Sequence, residues 1–252
     1  MSNIVIGKNI VKTFGTGMEP VKVLNLVNAE IGSGEFVAVM GPSGSGKTTL
    51  LHVLSGMDSI TSGSVKFKDD ELSEMSENQL ADLRRTKMGF IFQQPTMLKN
   101  LNLLDNIILP AVPDGRHAAA KLVQKAKILM KKMGIDGLED RDIREVSGGQ
   151  LQRAGICRAL MNDPEILFAD EPTGAVNSKT AEEIMGLLVE INREGTAILL
   201  VTHDPLVAAK ADRVLFMKDG NIVSELMLQK FGGKDMEART ERVLAKMAAV
   251  GI

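Results

Sequence analysis

The chain has 252 residues, 44% of them hydrophobic, enough for a sizeable core. Its formal net charge of −2 lacks the basic field of a nucleic-acid binder, so nucleic acid is excluded as an expected partner. Cys157 is the single cysteine, which rules out an intrachain disulfide, and no apolar run reaches the roughly 20 residues needed to span a bilayer.

The opening MSNIVIGKNI lacks the basic-then-apolar pattern of a secretory leader, and a soluble chain is expected. Residues 3–14 are rich in β-branched side chains and read as a strand, followed by a turn in GTGMEP (15–20). Strands are expected at 21–31 and 35–40, a helix at 47–55 closed by Gly56, and a short strand and turn at 62–70. A polar helix at 76–86 precedes the apolar strand MGFIFQQP (88–95), stopped by Pro95. From 96 to about 146 Leu, Met, Ala and Lys dominate, and RHAAAKLVQKAKILMKKMG has helical periodicity, which predicts a helical insertion. Beyond 147 helices at 148–161, 178–193 and 205–211 alternate with strands at 166–170, 196–202, 213–217 and 221–225. Such alternation predicts an α/β fold with a mostly parallel sheet covered by helices on both faces.

Four segments carry chemistry. Gly41-Pro42-Ser43-Gly44-Ser45-Gly46-Lys47-Thr48, followed by Thr49, fits G-x-x-x-x-G-K-[ST] between a strand and a helix. Glycines let backbone N–H groups converge on phosphate oxygens, and the helix aims its positive end at the same point. Lys47 would reach the β- and γ-phosphates, and the Thr48 hydroxyl would hold Mg²⁺. ILFADEPTG (166–174) is an apolar strand ending in two carboxylates, where ligands of open α/β sheets sit. Asp170 is suited to Mg²⁺ and Glu171 to polarising an attacking water. The strand AILLVT ends at His203, a neutral imidazole suited to contact the γ-phosphate. In VSGGQLQR (146–153), Ser147 precedes Gly148, Gly149 and Gln150 at a helix start. It reads either as an ordinary N-cap or as a second anion-binding mouth, which two head-to-tail chains would use.

Together, in order and spacing, these motifs resemble the ATP-binding cassette ATPases, the motor subunits of ABC transporters, over roughly residues 3–228. The resemblance implies a P-loop NTPase cassette with a mostly parallel core sheet, a peripheral antiparallel β layer and a helical subdomain at about 96–146. Residues 1–228 form the cassette on this reading and 229–252 a helical tail. It implies ATP and Mg²⁺ as ligands, Gly41–Thr48 as the Walker A loop with Thr49 as a further ATP contact, and Gln93 as the glutamine that touches Mg²⁺ and the attacking water. It further implies Ser147–Gln150 as the signature loop reaching the partner's γ-phosphate, Asp170 as the Walker B aspartate, Glu171 as the catalytic glutamate and His203 as the switch histidine. Phe14 falls where the family stacks an aromatic on adenine, although a core Phe at a strand end fits the same sequence.

The family's D-loop reads S-A-L-D, whereas this chain has Gly174-Ala175-Val176-Asn177, either a tolerated isostere or a change that tunes turnover. The form of these motifs resembles a branch holding macrolide-efflux, lipoprotein-release and antimicrobial-peptide (bacitracin-type) ATPases. That implies ATP hydrolysis by a homodimer on the inner face of the cell membrane, driving a separate integral membrane permease. A nucleotide-gated clamp or signalling component without cargo is the alternative. Met97, Leu98, Leu101, Leu103 and Leu104 are either subdomain core or a groove for the permease. In DMEARTERVLAKMAA (235–249), Val243, Leu244, Met247 and Ala248 share one helical face, which predicts a marginally docked helix.

Overall fold

The computed structural model describes residues 2–15, 20–112 and 120–252. Most of the turn expected at 15–20 and the start of the periodic stretch from 116 lie outside the described residues. In chain order the elements are β1 (Asn3–Phe14), β2 (Val21–Gly32), β3 (Phe36–Met40), α1 (Lys47–Leu54), β4 (Ser62–Phe67), β5 (Asp70–Glu71) and α2 (Glu77–Lys87). Then come β6 (Met88–Ile91), α3 (Leu103–Ile108), α4 (Ala120–Lys132), α5 (Gly148–Leu160), β7 (Ile166–Asp170) and α6 (Ser178–Arg193). The chain ends with β8 (Ala197–Thr202), α7 (Pro205–Ala208), β9 (Arg213–Lys218), β10 (Asn221–Met227) and α8 (Met236–Val250).

Two sheets result. A four-stranded antiparallel layer runs β2-β1-β4-β5, and a six-stranded sheet runs β10-β9-β3-β8-β7-β6. In the larger sheet β9, β3, β8, β7 and β6 are parallel and β10 closes one edge antiparallel. The central strands β3 and β8 are buried on both faces, which explains their unbroken apolar sequences. Side-chain alternation splits the core in two. Phe36, Ala38 and Met40 of β3 and Leu167 and Ala169 of β7 face α5, α6, α7 and the helices after β6. Val37 and Val39 with Ile166 and Phe168 face α1 and the antiparallel layer.

Register then levels the strand ends that matter. Met40 pairs with Thr202, and Asp170 with Val201, so β3, β8 and β7 release their loops side by side at one sheet edge. β8 lies between β3 and β7, which brings residues 41, 171 and 203 together. Three local expectations shift. β6 ends at Ile91 because its ladder with β7 ends there, leaving Phe92–Pro95 as loop. The helix expected at 205–211 stops at Ala208. In α8 the buried face is Arg239 and Val243 with Met247 partly covered, whereas Leu244 and Ala248 are exposed. Arg239 donates to the carbonyls of Ala209, Ala211 and Gln229, each at 2.6 Å, and so fastens α8 beneath α7. Among the described residues no helix is long and apolar enough to cross a membrane.

Candidate active site

The loop after β3 turns tightly. Ser45 N donates to the Pro42 carbonyl, and Gly46 stands at φ +99°. A side chain at Gly46 would be strained, and its Cβ would lie 2.9 Å from the Val23 carbonyl of β2. Gly46 is the N-cap of α1 and supplies no side-chain hydrogen bond, so the first N–H groups of the helix are left to another acceptor. The Lys47 ammonium curls over the loop and donates to the Gly41 and Pro42 carbonyls, both at 2.9 Å. Burial lowers its pKa, while Glu171 and Asp170 act the other way. The Ser45 hydroxyl is buried inside the loop without a hydrogen-bond partner among the described residues, whereas Pro42, Ser43, Gly44 and Thr48 are exposed at its mouth and Thr49 is half-buried.

Across this mouth stand the carboxylates of β7. Thr48 Oγ1 donates to Asp170 Oδ1 at 3.2 Å, and burial raises the pKa of Asp170 against that hydrogen bond. Glu171 has φ +43°, a left-handed conformation that a residue with a long side chain rarely adopts. Its N–H donates to the Val201 carbonyl and its carbonyl accepts from Gly174, so the flanking backbone holds the strain. Glu171 Oε1 lies 3.0 Å from His203 Nδ1. With its proton on Nδ1 the imidazole donates to the carboxylate. The sequence pointed His203 at a phosphate, and this link to Glu171 could only be found once β7 and β8 were known to be neighbours.

Gln93 is exposed on the loop after β6, beside the D-loop: a Cβ on Gly174 would fall 2.7 Å from Gln93 Nε2. A serine there would displace only the flexible end of the exposed Gln93 side chain. Asn177 Oδ1 accepts from Thr180 N at 2.9 Å and caps α6, a task Asn and Asp perform about equally well. Ser147 and Gln150 form a reciprocal capping box at the start of α5. That start abuts the D-loop helix: a Cβ on Gly149 would lie 2.8 Å from Thr180 Cγ2. No hydrogen bond or ion pair among the described residues joins Ser147–Gln150 to the loop at 41–49. Phe14 is 45% exposed, so it is not a core side chain. The Lys12 ammonium lies 4.7 Å from its ring centroid. Phe14 pairs with Val21, two residues before Val23, whose carbonyl would lie 2.9 Å from a Cβ on Gly46.

The donor set fits Mg²⁺ rather than a protein-only metal cage. Among the described residues no group of three or more His, Cys, Asp or Glu side chains could hold a metal. A hydroxyl and one carboxylate already in contact suit an ion that takes its remaining ligands from phosphates and water.

Residues 24–174 match the family model described as ABC transporter. The chain is 44% identical over 223 residues to the macrolide export ATP-binding/permease protein MacB of Mannheimia succiniciproducens, covering 88% of this chain and 34% of that protein. It thus spans about a third of the length of that relative. It is 42% identical over 225 residues to the bacitracin export ATP-binding protein BceA of Halalkalibacterium halodurans, covering 88% of each. A solved dimer of the ATP-binding cassette MJ0796 in a post-hydrolysis state, bound to ADP and Pi, superposes with a TM-score of 0.83 at 38% identity, covering 90% of this chain and 100% of that one. A second dimeric structure of MJ0796 gives a TM-score of 0.84 over the same shares. The motif geometry, the family match and the near full-length relative agree: the chain belongs to the ABC transporter family, as one of its ATP-binding cassettes.

Proposed function

We propose that this chain binds and hydrolyses ATP as a head-to-tail pair of copies beneath a separate membrane permease, whose conformational change it drives. One observation carries the hydrolytic part: Glu171 is held at φ +43° and linked to His203, beside Thr48 and Asp170. Glu171 accepts the proton of the water that attacks the γ-phosphate, and the His203 Nδ1–H fixes the carboxylate's direction. Lys47 exchanges the Gly41 and Pro42 carbonyls for phosphate oxygens, and the N–H groups of the α1 start accompany it. Thr48, Asp170 and Gln93 would hold Mg²⁺, which supplies charge neutralisation at the β- and γ-phosphate oxygens. Phe14 offers an exposed ring to the adenine.

Residues 1–228 form the cassette and 229–252 the tail. Ser147–Gln150 of one copy close over the nucleotide of the other, consistent with the exposed start of α5 and with the dimers of the related cassette. A cleft lined by Met57, Arg84, Phe90, Phe92, Leu109 and Pro110 is the proposed permease seat. It replaces the leucine groove: Met97 and Leu103 are core, and of that set only Leu98 is strongly exposed. The names of the relatives support export of an antimicrobial compound, and a position on the inner face of the membrane follows from the proposed pairing with a permease. The test is steady-state hydrolysis with Mg-ATP. Glu171→Gln keeps the shape and removes the base, so turnover should fall by at least about a hundredfold while ATP still binds. Turnover equal to wild type would refute the assignment.

A further inference from the structure

Gln152 lies on α5, five residues beyond Ser147, and plays no part in the site described above. It is 1% exposed. Its Nε2 donates to the Phe92 carbonyl at 3.0 Å, which fixes the amide's orientation, because the reverse would set oxygen against oxygen. Its Oε1 is buried with no hydrogen-bond partner among the described residues. Such acceptors are rare in folded proteins and call for an explanation.

The neighbours of Gln152 supply one. Gln152, Gly155 and Arg158 are three residues apart and share one stripe of the helix. Along that stripe runs the loop that carries Gln93. Phe92 is bonded by Gln152, and a Cβ on Gly155 would stand 3.4 Å from Pro95. Arg158 Nη1 donates to the Thr96 carbonyl at 2.6 Å. The helix that opens with Ser147 is therefore the backing plate of the loop that bears Gln93. Beyond Phe92 the backbone donors next along the chain are those of Gln93 and Gln94, since Pro95 has none.

We propose that Gln152 is a positioning residue with two seats. Its amide N–H₂ holds Phe92 in the structure described here, and its unpaired oxygen takes the N–H of Gln93 or Gln94 when the loop draws in toward bound nucleotide. Occupancy of one nucleotide site is thereby passed to α5, whose start faces the second copy. This rests on the ATP-hydrolysing reading of the site.

Two variants and one direct measurement test it. Gln152→Met keeps the size and removes both seats; it should lower kcat by about tenfold or more with the KM for ATP within about twofold. Gln152→Glu offers a donor and an acceptor only while its carboxyl is protonated, and burial raises that pKa. Its activity relative to wild type at the same pH should therefore recover as the pH is lowered, which a purely space-filling role would not produce. Wild-type kcat in Gln152→Met, or an activity ratio for Gln152→Glu that does not change with pH, would overturn the proposal. Amide exchange on the Glu171→Gln chain needs no change at 152. Mg-ATP should protect the N–H of Gln93 or Gln94 together with those of 44–48. Protection of 44–48 alone overturns the two-seat role, whereas no protection at 44–48 overturns the ATP reading and this inference with it.

Discussion

The chain contains two glycine-rich helix starts, and they are built in opposite ways. At α1 the cap is Gly46, left-handed and without a side-chain hydrogen bond, and Lys47 is folded back over the loop onto two carbonyls. At α5 the cap is Ser147, whose side chain and that of Gln150 satisfy each other's backbone donors. A helix start without a side-chain cap invites an anion as its cap, whereas a capped start already has part of its hydrogen bonding satisfied. The difference assigns the two starts different tasks. On the proposed reading the first binds phosphate within its own chain, and the second, capped by its own side chains and exposed at Ser147 and Gly148, acts once another copy's nucleotide is brought to it.

Lys47→Ala should break the first half of this contrast most severely. Charge-assisted hydrogen bonds are worth about 1.5–3 kcal/mol, so the Kd for ATP measured by calorimetry should rise at least about tenfold. An unchanged Kd would show that the loop is not a phosphate site. Ser147→Ala should instead leave the Kd of a single copy unchanged and cost stability. Loss of an N-cap is worth about 1 kcal/mol, or a Tm drop of about 2–4 °C for a chain of this size. A large loss of ATP affinity in dilute Ser147→Ala would mean that α5 serves its own chain's nucleotide.

A smaller effect sharpens the account of the α1 side. Burial raises the pKa of Asp170 in the folded chain above its unfolded value. The folded state therefore binds this proton more tightly, and the ionised carboxylate costs stability at neutral pH. That cost shrinks as the pH falls through the folded pKa and is gone below the unfolded one. Asp170→Asn should accordingly raise the Tm of the nucleotide-free protein near neutral pH, and the gain should fade on acidification. A lowered Tm at neutral pH would show that the Thr48 hydrogen bond outweighs burial.

The strands of the core sheet were legible because they are apolar runs bounded by turn residues, and α6 was legible at 178–193 because Asn177 and the apolar spacing mark its ends. The loop at 41–49 was equally plain, since its glycines and lysine have a fixed spacing. What the sequence left open depends on which elements become neighbours. His203 and Glu171 are 32 positions apart and meet only because β8 lies beside β7. The leucines after Gln93 could not be sorted by composition, because a core and a groove use the same side chains. In α8 an arginine outside the apolar face named from the sequence proved to be the anchor. Arg239 is buried because three carbonyls around α7 and β10 converge on its guanidinium. Gln152 carried no sequence signal beyond a polar residue in a helix, and only its burial against Phe92 singles it out.

The most direct test of the division of labour mixes two inactive chains. Lys47→Ala disables the α1 start and keeps α5, and Ser147→Arg blocks the α5 start and keeps α1. Each alone should form only impaired sites. In a mixed dimer the Ser147→Arg copy contributes its intact phosphate loop and the Lys47→Ala copy its intact Ser147, which rebuilds one whole site. ATP hydrolysis by the mixture should rise well above the sum of the two separate proteins. A mixture that equals that sum, in dimers shown to contain both chains, would contradict the assignment of the two helix starts to different copies.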